Sequence, residues 1–245
     1  MTRFVLLCFS LLCLTPLTRL ETPVSITPVS VDSNQPADPS ILEIGNGLKD
    51  ALLQGTSKSV GQLSAVDGFF GNAAIKILFP PQAKTAEKTL RQIGLNKLCD
   101  DVVLSLNRAA EDAAKQAAPI FADAIKHMTV QDATSILMGP PDAATQYFKR
   151  TTSAGLALAF KPVIQNSLNK VGATKYYGDA AKAYNKIPFV SKMNPDISDY
   201  ATQKAIDGLF YQIAIEELNI RKNINARTSP LLRSVFAFAD RNQKQ

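Results

Sequence analysis

Histidine occurs once in this chain, tryptophan not at all, and cysteine three times, with Cys8 and Cys13 at the extreme start and Cys99 the third. Each scarcity removes a class of chemistry. With His127 alone, no histidine-based metal cluster can be assembled, and a Ser/His/Asp triad would have to be built on that residue. Once Cys8 and Cys13 are set aside, Cys99 has no partner for an intramolecular disulfide, so the fold must rest on its core. Cys99 reads as a small buried apolar residue and His127 as a group near a helix end. The nucleophile elbow G-x-S-x-G, the phosphate loop G-x-x-x-x-G-K and the dinucleotide fingerprint G-x-G-x-x-G are all missing. Without tryptophan or alternating Val/Ile/Thr runs there is also little to build a sheet from.

What is present begins with Arg3 and an uncharged apolar run, Phe4 to Leu14. The run is shorter than the roughly 20 residues a membrane span needs, and it has the length and flanks of a secretory signal. No A-x-A-like cleavage site follows Pro16, so residues 1–17 read as a signal peptide or an uncleaved N-terminal anchor. Lipidation is a third reading, weakened because Leu7 and Leu12 precede the two cysteines. Residues 18–39 are polar and broken by Pro23, Pro28, Pro36 and Pro39, the composition of a disordered Pro/Ser/Thr tether. The expected localisation is therefore exported, periplasmic or envelope-associated.

Residues 40–238 are long enough for one substantial core, followed by a polar tail, 239–245. Helical spacing recurs throughout. Ile41, Leu42, Ile44, Leu48, Ala51 and Leu52 mark an amphipathic first helix. After an extended connection from Asp67-Gly68 to Pro80-Pro81, helices are expected over 82–93 and 98–117, with Pro119 opening or kinking the next. Thr129 caps another that ends at Gly139-Pro140-Pro141, and further helices begin near Asp142, Thr152 and Thr174. The most apolar helix, 196–221, carries Ile206, Leu209, Phe210 and Ile213 on one side and Tyr211, Ala214, Ile215 and Leu218 on much of the other, the pattern of a buried helix. Gly208 within it permits a close neighbour. The fold class expected is all-α: a single multi-helix, bundle-like domain with a buried central helix near the C-terminus.

The net charge of +6 is owed to one stretch. Between 143 and 195 stand Lys149, Arg150, Lys161, Lys170, Lys175, Lys182, Lys186 and Lys192 against the single acid Asp179, while the rest nearly cancels. Clustered cations favour an anionic partner. At 100° per residue Lys175, Lys182 and Lys186 fall within about 40° of one another, with Tyr177 and Tyr184 roughly opposite. Lysines facing water and tyrosines facing the core leave no base-stacking platform, so nucleic acid is disfavoured. That leaves lipid headgroups, an anionic envelope component or an acidic protein.

Asp207 sits inside the apolar helix, where a buried carboxylate needs a partner such as Arg150 or Arg221. The adjacent acids Asp100-Asp101, Glu111-Asp112 and Glu216-Glu217 point about 100° apart and read as solvated faces rather than chelating pairs. Ser167 and Lys170 satisfy S-x-x-K without its companion motifs, a chance match. Asn194 to Tyr200 lacks the glycine and glutamate of a calcium loop and reads as a helix N-terminus. No metal or cofactor is expected.

Several phrases in order carry a resemblance: Asp67-Gly68-Phe69-Phe70, Asp142 to Arg150 (DAATQYFKR), Val171 to Tyr177 (VGATKYY), Tyr184 to Phe189 (YNKIPF), Ala205 to Phe210 (AIDGLF) and Ala226-Arg227-Thr228. Over Leu48 to Phe236 the chain resembles the bacterial family catalogued as domain of unknown function 4197. The resemblance implies an exported, helical protein without an assigned activity, and it brings no catalytic residues. The chain departs from the family pattern at Gly139-Pro140-Pro141-Asp142, where acids are more usual, and in its long tether.

The leading expectation is a noncatalytic binding domain, with Tyr147, Lys149, Arg150 and Asp207 as candidate ligand-binding residues and Lys175, Lys182 and Lys186 as candidate contacts to an anionic surface. The alternatives are an enzyme of unfamiliar type using Asp207, Arg150 and Tyr147 in a cleft, or a carrier of a small apolar ligand between helices.

Overall fold

Apolar residues at helical spacing become helix wherever the structure, a computed structural model, describes the chain: residues 38–186, 192, 194 and 196–242, the side chains of Tyr176, Ala180, Ala183 and Tyr184 excepted. The expected signal and nearly all of the tether lie outside these residues. The helices are α1 (Ile41–Ser64), α2 (Lys84–Gln92), α3 (Asn96–Ala114), α4 (Ala117–His127), α5 (Val130–Met138), α6 (Ala143–Lys170), α7 (Ala173–Tyr184), α8 (Ile197–Lys222) and α9 (Pro230–Asn242). No strand occurs among the described residues, and the fold is all-α. None of these helices is long and apolar enough to cross a membrane.

Two helices organise the rest. α6 packs against α3, α4, α5, α7 and α8, and α8 against α1, α3, α6 and α7, while α1 crosses α3, α4, α5, α8 and α9. The aromatic centre is Phe121 of α4, edge-on to Phe148 of α6 at 5.0 Å and to Phe210 of α8 at 6.4 Å. Such pairs add about 0.5–1.5 kcal/mol beyond the area they bury.

Two helix starts are closed by reciprocal caps, of which the sequence reading named the one at Thr129. Ser40 accepts from the Glu43 amide while its own N–H donates to Glu43 Oε2 at 2.8 Å. Thr129 and Asp132 make the same reciprocal pair. Each box satisfies two amides a helix start leaves open. Ile41 and Leu42, expected on the buried face of α1, are exposed because the first turn precedes the core.

The sequence reading separates a helix at Asp142 from one at Thr152, but α6 is continuous through both. Thr152, where a helix was expected to begin, and its neighbours Thr151 and Ser153 donate their hydroxyls to the carbonyls of Phe148, Tyr147 and Lys149. That back-bonding removes the competition such residues offer to a helix. The polar tail is also shorter than expected. Ala239 is buried in α9 and Asp240 accepts from Arg227 at 2.8 Å, so residues 239–242 belong to the fold.

Two of the phrases that carry the family resemblance, Asp67 to Phe70 and Ala205 to Phe210, meet in the core. Phe69 is fully buried, and a Cβ added at Gly208 would lie 2.6 Å from its ring. Gly208 therefore admits a loop phenylalanine rather than a neighbouring helix. Asp67, with φ 66°, turns the chain after α1, and Arg108 donates to it at 2.8 Å. A non-glycine residue in this region carries strain unless held.

Candidate functional site

Charges in this molecule divide into those the fold uses and those it leaves over. Glu111 and Glu217, both buried, accept hydrogen bonds from backbone amides at the ends of other segments. Glu111 takes the N–H groups of Phe69 at 3.1 Å and Phe70 at 3.2 Å, together with Arg108 at 2.6 Å. Glu217 of α8 takes the amides of Ala144 and Thr145, each at 2.9 Å, and the Thr145 hydroxyl at 2.8 Å. It caps α6 from another helix, where a carboxylate is favoured by the open amides and the dipole. Arg221 completes the arrangement by donating to Glu217 at 2.9 Å and to the Ile136 and Leu137 carbonyls that end α5. Glu216 accepts from Lys58 at 2.7 Å.

These acids overturn the expectation of solvated faces. Of the adjacent pairs only Asp100-Asp101 stays outward, held by Arg91 and Lys97, whereas Glu111, Glu216 and Glu217 point inward. Arg227 has the same character. It is 3% exposed and donates to the carbonyls of Ile220 and Arg221 where α8 ends.

Asp207 is corrected in the opposite direction. It is exposed, accepts from Gln203 at 2.9 Å and Lys204 at 3.4 Å, and engages neither Arg150 nor Arg221. The reason is that α8 is not buried all round: Tyr211, Ile215 and Leu218 stand 44%, 43% and 38% exposed on its open flank. Tyr147 is buried, its hydroxyl donates to the Ala124 carbonyl at 3.2 Å, and the Arg150 guanidinium lies 5.6 Å over its ring. Lys149 lies 6.0 Å over the Phe210 ring. Tyr147 thus meets Arg150, but it lines a recess with α4, while Asp207 lines a groove beside residues 74–84. The structure does not bring the three together.

Burial pushes the hydroxyl pKa of Tyr147, Tyr177 and Tyr200 up, with Asp132 adding to the rise at Tyr147 and Tyr200 adding to it at Tyr177. Cys99 is fully buried, and loss of solvent raises its thiol away from a reactive thiolate. His127 is exposed, with Nδ1 2.9 Å from the Asp123 carbonyl. Ser167 donates to Asp112 rather than to Lys170. Among the described residues no three His, Cys, Asp or Glu side chains are grouped to hold a metal ion. The cavity among α1, α5, α6, α8 and α9 has about 30 Å³ of free volume, room for a water but not for an apolar ligand.

Among the described residues of the basic stretch, Lys161 alone is in an ion pair, 2.6 Å from Asp199, and Arg150 sits in the field of Asp132. Among the described residues Lys149, Lys170, Lys175, Lys182, Lys186 and Lys192 have no acid within ion-pair distance, and all are exposed. α6, at about 1.5 Å per residue, keeps Lys149 and Arg150 roughly 30 Å from Lys170. Lys170 ends α6, Lys175 and Lys182 stand on the exposed edge of α7, and Lys186, expected on the same helix, lies in the turn after its end. Tyr177 is buried and Lys175 and Lys182 exposed, as the helical wheel requires; the Tyr184 side chain lies outside the described residues.

The family model for a protein of unknown function, DUF4197, matches residues 38–237. The chain belongs to this family. No curated protein and no solved structure matches it. In this DUF4197 chain four of the family-like phrases contribute to packing and capping: Phe69 against Gly208, Thr145 on Glu217, Arg227 at the end of α8.

Proposed function

We propose that the chain is a noncatalytic, exported binding domain that holds an anionic envelope component or an acidic partner protein against the α6–α7 surface. The observation that carries this reading is the set of exposed lysines, Lys170, Lys175, Lys182 and Lys186, which have no acid partner among the described residues. A fold that spends its buried charges on helix ends has no structural use for these. Uncompensated cations raise the local concentration of an anion and speed its arrival, an effect that weakens with salt. The apolar run at Phe4 to Leu14 supports export.

The test is sedimentation of the purified domain with vesicles containing phosphatidylglycerol, beside vesicles of phosphatidylcholine alone and beside an acidic polysaccharide. Selective binding to one anionic arm, reduced by added salt and by combined Lys175→Glu, Lys182→Glu and Lys186→Glu, is the expected result. Equal retention of the reversed variant on every anionic arm contradicts the proposal. Fractionation of cells producing the full chain tests export separately, with a cytoplasmic location counting against it.

A further inference from the structure

The connection between α1 and α2 has an unusual backbone. From Lys76 to Phe79 burial alternates, with Ile77 and Phe79 inward and Leu78 53% exposed, the pattern of an extended strand. Its one fixed edge is pinned by a side chain. Asn107 of α3 accepts from the Ile77 N–H at 2.9 Å and donates to the Ile77 carbonyl at 2.8 Å, standing in for a neighbouring strand. In an extended chain the next residue directs its N–H and C=O to the opposite edge. Among the described residues neither backbone group of Leu78 has a hydrogen-bond partner.

That open edge borders a groove of about 420 Å³, floored by Ile75, Phe79 and Gly208. Its far wall is a stripe of α8, Tyr200, Lys204, Asp207 and Tyr211, recurring at three- and four-residue steps. Lys76 and Lys84 stand on the near side. Three lysines face one acid. Lys84 has no ion-pair partner among the described residues, Lys204 shares Asp207 at 3.4 Å, and Lys76 lies 3.7 Å over the Phe70 ring.

We infer that this groove takes an extended acidic segment of a partner protein, which adds as a strand to the open edge at Leu78. Main-chain hydrogen bonds to Leu78 supply the pairing, and alternate side chains of the peptide meet the lysines on one face and the apolar floor on the other. A headgroup or a polysaccharide satisfies the lysines but does not require the Leu78 amide. The groove shares none of its lysines with the α6–α7 surface.

The probe is a fluorescein-labelled octapeptide of alternating glutamate and valine, titrated with the full chain and followed by anisotropy. Saturable binding is expected. Methylation of the central valine nitrogen removes one strand hydrogen bond and is expected to weaken binding about tenfold. Lys84→Glu with Lys204→Glu is expected to weaken it about tenfold or more at low salt, whereas Lys175→Glu with Lys182→Glu leaves it unchanged. Absence of saturable binding overturns the inference. So does equal affinity for the methylated peptide, or equal loss in the α7 variant. Binding of phosphatidylglycerol vesicles that depends on Lys84 and Lys204, with no peptide binding, assigns the groove to headgroups and also overturns it. Failure of the α6–α7 surface in its own assay leaves these outcomes readable, because the variants do not overlap.

Discussion

Glu217 on α8 and Lys182 on α7 are both charges on helices of one domain, yet they serve opposite ends. Glu217 is buried and bonded to two amides, a hydroxyl and a guanidinium, so its charge completes the start of α6. Lys182 is exposed and bonded to no acid. A buried carboxylate must be matched by donors or it destabilises the fold, whereas an exposed ammonium is matched by water and stays free for another molecule. What separates a structural charge from an available one is therefore its partners rather than its position in the sequence.

The comparison is broken most severely at the buried end. Glu217→Ala leaves Arg221 without its carboxylate and α6 without its cap, and is expected to cost about 3–5 kcal/mol in urea unfolding. Gly208→Ala comes next. Its new methyl meets the buried Phe69 ring at 2.6 Å and the Ile75 Cβ at 3.3 Å, at an expected cost of about 1–3 kcal/mol by the same measurement. Thr129→Ala, which removes one half of the cap on α5, is expected to cost about 1 kcal/mol. At the exposed end, Lys175→Glu with Lys182→Glu is expected to stay within about 0.5 kcal/mol per site, because a surface charge without a partner contributes little to the folded state.

The pH dependence sharpens the same contrast. Tyr147, Tyr177 and Tyr200 have hydroxyl pKa values raised above the ordinary tyrosine range by burial. Their contribution to stability is fully present below about pH 10 and is lost as pH rises through the raised values. Absorbance of tyrosinate should show these groups ionising late, with melting temperature falling in the same window. Asp132 moves the other way, held low first by the Thr129 hydroxyl and then by the Thr129 amide. Its contribution is present above the ordinary carboxylate range and is lost as pH falls through the lowered value.

The all-α class, the capping box at Thr129 and the outward lysines of α7 were legible in the sequence because each depends on local spacing. The inward acids were not. A wheel places Glu216 and Glu217 on an edge of α8, but only the tertiary fold brings Lys58 to one and the start of α6 to the other. Asp207 was misread for the matching reason: counting apolar residues around α8 cannot show that Tyr211 and Ile215 stand on a partly open flank. The continuity of α6 was hidden by hydroxyls whose two uses, capping and back-bonding, share one sequence signature. The groove beside Leu78 had a weak signal in the apolar run AAIKILF, an extended segment without a strand to pair with.

The most direct test of the division between used and available charge is a paired measurement on the variant Lys175→Glu, Lys182→Glu, Lys186→Glu: its melting temperature, and its binding to phosphatidylglycerol vesicles and an acidic polysaccharide. The account predicts an unchanged melting temperature and a loss of anion binding of tenfold or more at low salt. A lowered melting temperature with anion binding intact would contradict it, because the lysines would then be working for the fold.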